Sequence, residues 1–252
     1  MLAPFWWTLV SINRRSWYAT ARSWYSNWLL MLLLLVLVFS RDHLLSLPVS
    51  LEATFEAWLA SFSRSFVDVF LIQHFGLILV LVPAMAAGTL TDEKTSGTFE
   101  YLLTTPLSPL EIILAKWAAQ AVVAGELALI GLPLFCLFGV FAGLELPAFA
   151  GAAACTVLLL LALTAAGVLA SVWCRKTTTA VFSTYAIVGS TIAAIWYAGR
   201  ANLFLAPFAL AGVEPDAPGL STRLQSAGAW SLLTAICLFL ASWRLPRLSE
   251  TA

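Results

Sequence analysis

Chemistry needs nucleophiles, acids, bases or metal ligands held in groups, and such groupings are scarce in these 252 residues. The two histidines, His43 and His74, are not arranged with a nucleophile or with other metal ligands. Cys136, Cys155, Cys174 and Cys237 lie in or beside apolar runs without zinc spacing, so they read as packing residues. Lys94-Thr95 ends like a phosphate-binding loop, but Glu93 stands where glycine is needed for backbone amides to face phosphate. No catalytic, cofactor-binding or metal-ligating set is therefore expected. Two features remain. His74 and Glu126 are the ionisable groups furthest inside apolar sequence, and the run Thr91 to Lys116 is densely polar.

The elements that position them follow from composition. Hydrophobic residues make up 61% of the chain and charged ones 10%, with a mean hydropathy of +0.92, whereas a soluble domain carries about 25% charge. Formal net charge is zero, so no basic field recruits phosphate backbones and nucleic acid is not an expected partner. Six stretches are long and apolar enough, or nearly so, to cross about 30 Å of hydrocarbon as helix. They are Ser23 to Ser40, Val69 to Thr91, Trp117 to Leu144 (interrupted by Glu126), Leu146 to Cys174, Thr177 to Gly199, and Leu224 to Trp243. Helix is required because unpaired amides in lipid cost several kcal/mol each, and no alternation suggests a barrel. Pro83 and Pro133 are expected to kink their spans. The fold expected is all-α, a single polytopic transmembrane domain over residues 1–252 with six spans.

The positive-inside rule orients it. With a cytoplasmic amino terminus, Arg14, Arg15, Arg22, Lys94, Lys116, Arg175, Lys176, Arg244 and Arg247 lie inside, and Arg41, Arg64, Arg200 and Arg223 outside. Both termini are then cytoplasmic. Trp6, Trp7, Val10, Trp17 and Tyr18 with Arg14 and Arg15 suit the headgroup layer, so residues 1–22 read as an interfacial elbow helix before spans one and two at 23–90. Phe55, Trp58, Leu59, Phe62 and Phe66 recur at helical spacing opposite Glu52, Glu56 and Arg64, which reads as an outer surface helix. Ala201 to Val213 is too short to cross and reads as re-entrant or interfacial. Gly139 with Gly143, and Ala84 with Gly88, are small-residue pairs that permit close helix approach. Trp117, Trp173, Trp196 and Trp243 fit an aromatic belt.

Local signals divide the polar run. Gly97 can start a short helix, Thr98 to Thr104 continue it, and Pro106 stops it. Ser108, Pro109 and Glu111 then form a capping box opening a long helix over the start of 110–252, which holds spans three to six. A helical connection moves as a lever where a floppy loop does not. Phe99, Tyr101, Leu102 and Leu103 give it an apolar face, while Asp92, Glu93, Glu100 and Glu111 against Lys94 and Lys116 leave it net negative by two.

The run Glu93, Lys94, Ser96, Gly97, Thr98, Glu100, Leu102, Leu103, Thr105, Pro106, Leu107, Ser108, Glu111, Ile112 and Lys116 resembles the signature of permease subunits of type 2 ABC export transporters. Ala115 departs from it, since that family usually has glycine before the lysine. The resemblance covers the chain in layout, and only this motif is sequence-specific. It implies that residues 91–109 form a cytoplasmic coupling segment between spans two and three. Glu93, Lys94, Gly97, Thr98, Phe99, Glu100, Tyr101, Leu102, Leu103, Pro106, Ser108, Glu111 and Lys116 would then be ATPase-coupling residues. It also implies two copies of a separate ATP-binding subunit that uses ATP and Mg, a second permease copy with a homodimer expected, and a bacterial inner membrane. The chain itself would be a non-catalytic subunit that binds no cofactor.

His74 and Glu126 each lie 16 residues from the signature run, counted from Leu90 and from Leu110, or roughly 24 Å along a helix. They are candidates to interact, or to line a wet translocation path, because a carboxylate at membrane depth faces protein or water. Two other functions compete. A secondary transporter driven by an ion gradient needs broken midplane helices and several ion-binding groups. An intramembrane enzyme needs a nucleophile with its base, or clustered metal ligands. Neither explains the polar run.

Overall fold

The computed structural model describes residues 53–97, 108–129, 131–197 and 220–249. Every element among them is helical: α1 (Ala53–Ser96), α2 (Pro109–Leu129), α3 (Leu132–Phe141), α4 (Leu146–Trp173), α5 (Thr177–Tyr197) and α6 (Leu220–Ser249). Four helical stretches are long and apolar enough to cross a membrane: Phe62–Ser96, Pro109–Leu129, Leu146–Trp173 and Ala227–Leu245. The all-α, multi-pass reading of the sequence holds. The elbow at 1–22, the span Ser23 to Ser40, the short helix expected over 98–104 and the segment 201–213 lie outside the described residues.

Helix α4 is the axis of the bundle. Buried residues run from Leu159 almost without break to Val172, and small ones dominate that run. It packs most extensively on α1, with α2, α5 and α6 around it. Helices α1 and α4 run in the same direction, since His74 meets Thr156, Ala86 meets Gly167 and Lys94 meets Ser171. A Cβ on Gly167 would lie 2.4 Å from Ala86 Cβ and 3.0 Å from Ala86 backbone carbon. Glycine is required there because two backbones touch, the small-residue logic of helices in lipid. That contact, rather than a pair in α3, is the closest approach among the described glycines.

Three expectations change. The outer surface helix and the second span are one helix of 44 residues, with Pro83 buried inside it. At 1.5 Å per residue α1 reaches about 66 Å. Its Phe62, Phe66 and Phe70 face α3, with ring centroids 5.9 Å from Phe62 to Phe138 and 5.5 Å from Phe70 to Phe135. At Phe62 and Phe66 the face expected on an outer surface helix is thus a protein contact.

Second, the run Trp117 to Leu144 is not one kinked span. Helix α2 ends at Leu129, α3 starts at Leu132, and Pro133 sits in the first turn of α3. Proline is tolerated there, where its missing amide is an orphan in any case. Gly131 leaves room for Phe70, whose Cζ would be 2.7 Å from a Cβ. The break falls about 30 Å along from Pro109, so α2 spans hydrocarbon by itself.

Third, Gly143 is a turn rather than a packing site: its φ of +76° suits glycine and lets the chain reverse into α4. Its expected companion Gly139 packs against the Phe149 ring, 2.5 Å from where a Cβ would stand. Trp117 likewise serves the bundle, its indole nitrogen donating to Leu161 oxygen of α4 at 3.1 Å. Trp173 and Trp243 remain exposed, as a belt requires.

Candidate functional site

The polar run meets the bundle at a junction built by three consecutive residues of α1. Asp92 accepts from the Thr177 hydroxyl of α5 at 2.8 Å, and Thr177 also reaches Thr91 Oγ1 at 3.1 Å. Glu93 forms an ion pair with Lys116 of α2, the side chains being 25% and 15% exposed. Lys94 donates to three backbone carbonyls of α4, Ser171 at 2.8 Å, Val172 at 2.7 Å and Cys174 at 3.1 Å. An ammonium has three donors, so the three acceptors match its capacity. Ser171 and Val172 belong to the last turn of α4, whose carbonyls lack intrahelical partners and carry the negative end of the helix dipole. Cys174 closes the helix, its amide donating to Ala170 oxygen at 2.9 Å.

The residues on either side of 98–107 are set by local chemistry. Gly97 follows α1 with φ +74°, the left-handed conformation that ends helices, so it acts here as a stop signal. At the far end Ser108 N and Oγ both donate to Glu111 Oε2 at 2.8 Å, and Glu111 N approaches Ser108 Oγ at 3.3 Å. That is a capping box, and Ile112 N closes the first turn onto Ser108 oxygen at 3.1 Å. Of the residues proposed for coupling, Glu93, Lys94, Gly97, Ser108, Glu111 and Lys116 are described. Thr98, Phe99, Glu100, Tyr101, Leu102, Leu103 and Pro106 are not.

A second region surrounds His74, at the end of the bundle away from the junction. A cavity of about 470 Å³ lies between α1, α2, α3 and α4, walled by residues such as Phe70, Phe135, Phe149 and Leu160, with His74 and Thr156 as polar members. At its rim Leu146 is 81% and Leu129 61% exposed. His74 Nε2 lies 3.3 Å from Thr156 Oγ1. That hydroxyl donates to Ala152 oxygen at 2.9 Å. The imidazole also stacks on Phe70, centroids 5.5 Å apart. A smaller void of about 30 Å³ on the same side of α2 is bounded by Gln73 and His74 among others, enough room for a water. Glu126 is half-buried on α2 and bounds neither space, although its neighbours Gly125 and Leu127 do. The cavity thus takes in His74 of the proposed path but not Glu126.

Several partners carried no sequence signal. Thr156 and Thr177 look like ordinary hydroxyls of apolar helices, and the carbonyls that hold Lys94 have no side-chain identity to read. Among the described residues no group of His, Cys, Asp and Glu is placed to hold a metal. All four cysteines are free thiols.

Apolar helices long enough to cross a bilayer, packed around a small-residue axis, define a multi-pass membrane protein. The chain belongs to the ABC-2 family of transporter proteins: the family model described as ABC-2 family transporter protein matches residues 19–198, more than half of the chain. It is therefore a membrane permease of ABC transporter type, and membership implies association with an ABC ATP-binding subunit. No curated protein matches the chain.

Proposed function

We propose that this chain is the membrane-spanning subunit of an ATP-driven exporter, in which residues 91–116 dock on a separate ATP-binding subunit and pass its movement to the bundle. The observation that carries this reading is the junction of Asp92, Glu93 and Lys94. It holds the start of the coupling segment to three helices at once, so a force on 97–108 meets a stiff base. Six spans, the elbow at 1–22, cytoplasmic termini and a bacterial inner membrane complete the proposal. Two ATP-binding subunits using ATP and Mg serve two permease copies, a homodimer. The chain hydrolyses nothing.

The cavity beside His74 is proposed as part of the translocation path, with Glu126 retained as a second candidate. The break between α2 and α3 is the one observation that favours a secondary transporter. Its position argues against that reading, because it falls near the end of the hydrocarbon span and not at its middle.

Co-purification with candidate ATP-binding subunits tests the coupling role. Glu100→Arg and Tyr101→Ala are expected to reduce recovery of the ATPase at unchanged permease yield. Undiminished association of both would remove the docking surface. Labelling of cysteines placed from Gly97 to Ser108 should succeed only from the cytoplasmic face, and labelling only from outside would overturn the topology.

A further inference from the structure

We propose that Lys94 is a positioning residue that carries movement of the coupling segment into α4, the bundle axis, to which that segment has no covalent connection. The inference rests on the coupling role proposed above. By chain connectivity the segment 97–108 pulls on α1 at one end and α2 at the other. Lys94 adds a third attachment. It stands three residues before Gly97, and its ammonium donates to the Ser171, Val172 and Cys174 oxygens at the end of α4.

Two ordinary readings of such a lysine do not fit. A snorkelling side chain would send its ammonium to the water or headgroups, keeping only its stem on apolar surface. Here the nitrogen of a half-buried side chain is engaged by backbone carbonyls instead. A docking contact would need free donors for the partner's carboxylates, and all three N–H groups are matched by α4 carbonyls. Carbonyls of a last helical turn point along the helix axis, so the bond transmits axial pull rather than sideways drift. Sideways separation is already opposed where Gly167 meets Ala86. Thr177 on Asp92 extends the same attachment to α5.

Cys174 reports on this joint without any engineered probe. It is half-buried, closes α4, lends its carbonyl to Lys94 and has its thiol 3.4 Å from Ser183 Oγ. Its alkylation by a water-soluble maleimide can be followed by peptide-resolved mass spectrometry, in the chain alone and in complex with the ATP-binding subunit. In the chain alone, Lys94→Met should free the last turn and raise the Cys174 rate about tenfold, about 1.4 kcal/mol of opening free energy. Lys94→Arg, which keeps the donors, should restore it. In the complex, the wild-type rate should differ between nucleotide-free and vanadate-trapped states by about fivefold or more, the low end of coupling between sites. Lys94→Met and Lys94→Gln should both abolish that difference, measured on the complex that each forms.

An unchanged Cys174 rate in Lys94→Met of the isolated chain overturns the grip. A nucleotide-dependent difference that survives in either variant overturns the transmission. Failure of the wild type to bind any ATP-binding subunit counts instead against the coupling role, and the isolated-chain rates still decide whether Lys94 holds α4.

Discussion

At one end of α1 three consecutive residues, Asp92, Glu93 and Lys94, reach three different helices through polar bonds. At the other end Phe62, Phe66 and Phe70 meet α3 and the cavity beyond it through ring contacts with no single required partner. The contrast is physical. Charge-assisted hydrogen bonds have defined donors, acceptors and directions, so the junction has one good geometry and moves as a unit. Ring pairs accept offset or edge-on arrangements of similar energy, so the far end can repack around a void. One helix thus carries a stiff end, where the family motif lies, and an adaptable end, where the cavity of about 470 Å³ lies. That division suits a protein that receives displacement at one place and handles cargo at another.

The comparison breaks most severely at the point that joins the two ends. Gly167→Leu puts a side chain where α1 backbone already stands, and overpacking of that kind is expected to cost about 3 kcal/mol or more. Loss of monodisperse protein in detergent, or a collapse of its thermal midpoint, would show it. Recovery of native-like protein would mean that α1 and α4 are not clamped. At the aromatic end Phe135→Ala removes a buried ring but enlarges a space that exists already, so about 3 kcal/mol is expected, the low end for such truncations. An increase in retained apolar dye should accompany it, because the cavity grows. At the junction, Glu93→Gln or Lys116→Met leaves a charge without its partner. Fully buried pairs lose 3–5 kcal/mol on such a change, and with both side chains partly exposed about 2 kcal/mol is expected here. The double variant should cost less than the two singles together when thermal midpoints are compared, and strict additivity would deny the pair.

The same contrast explains what could be read in advance. Ser108 and Glu111 are three residues apart, and their capping box is local chemistry, so the sequence alone located it. The apolar runs fixed the all-α class, since lipid leaves the backbone no other choice. Lys94 was legible as part of a motif but not as a strut, because its acceptors lie more than seventy residues away and are backbone atoms. The parallel register of α1 on α4 was equally hidden, being set by a Gly167 that resembles the other glycines of apolar helices. Phe62 and Phe66 read as part of an outer surface helix because periodicity reports an apolar face and not what covers it. The break at Gly131 was missed for a related reason. Proline signals a kink or a helix start with the same letter, and only the Phe70 ring pressed against Gly131 separates the two.

The smallest expected effect is at Ser108, and it tests the stiff end most delicately. Ser108→Ala removes the hydroxyl half of the capping box while Glu111 Oε2 still accepts from the backbone amide. Lost caps cost about 1 kcal/mol, and the surviving amide bond should hold the loss below that. So small a change at an exposed helix start should leave the thermal midpoint of the whole bundle nearly unmoved. Its consequence is local, since the capping box sits at the first turn of α2, where the proposed coupling segment would hand over to a membrane helix. Hydrogen exchange at the amides of Glu111 and Ile112 should accelerate severalfold, with exchange inside α4 unchanged, and Ser108→Thr should reverse it. If exchange in α4 rose as well, the two attachments of the segment would not be independent. The stiff end would then be a single cooperative unit, from the capping box to the carbonyls that hold Lys94.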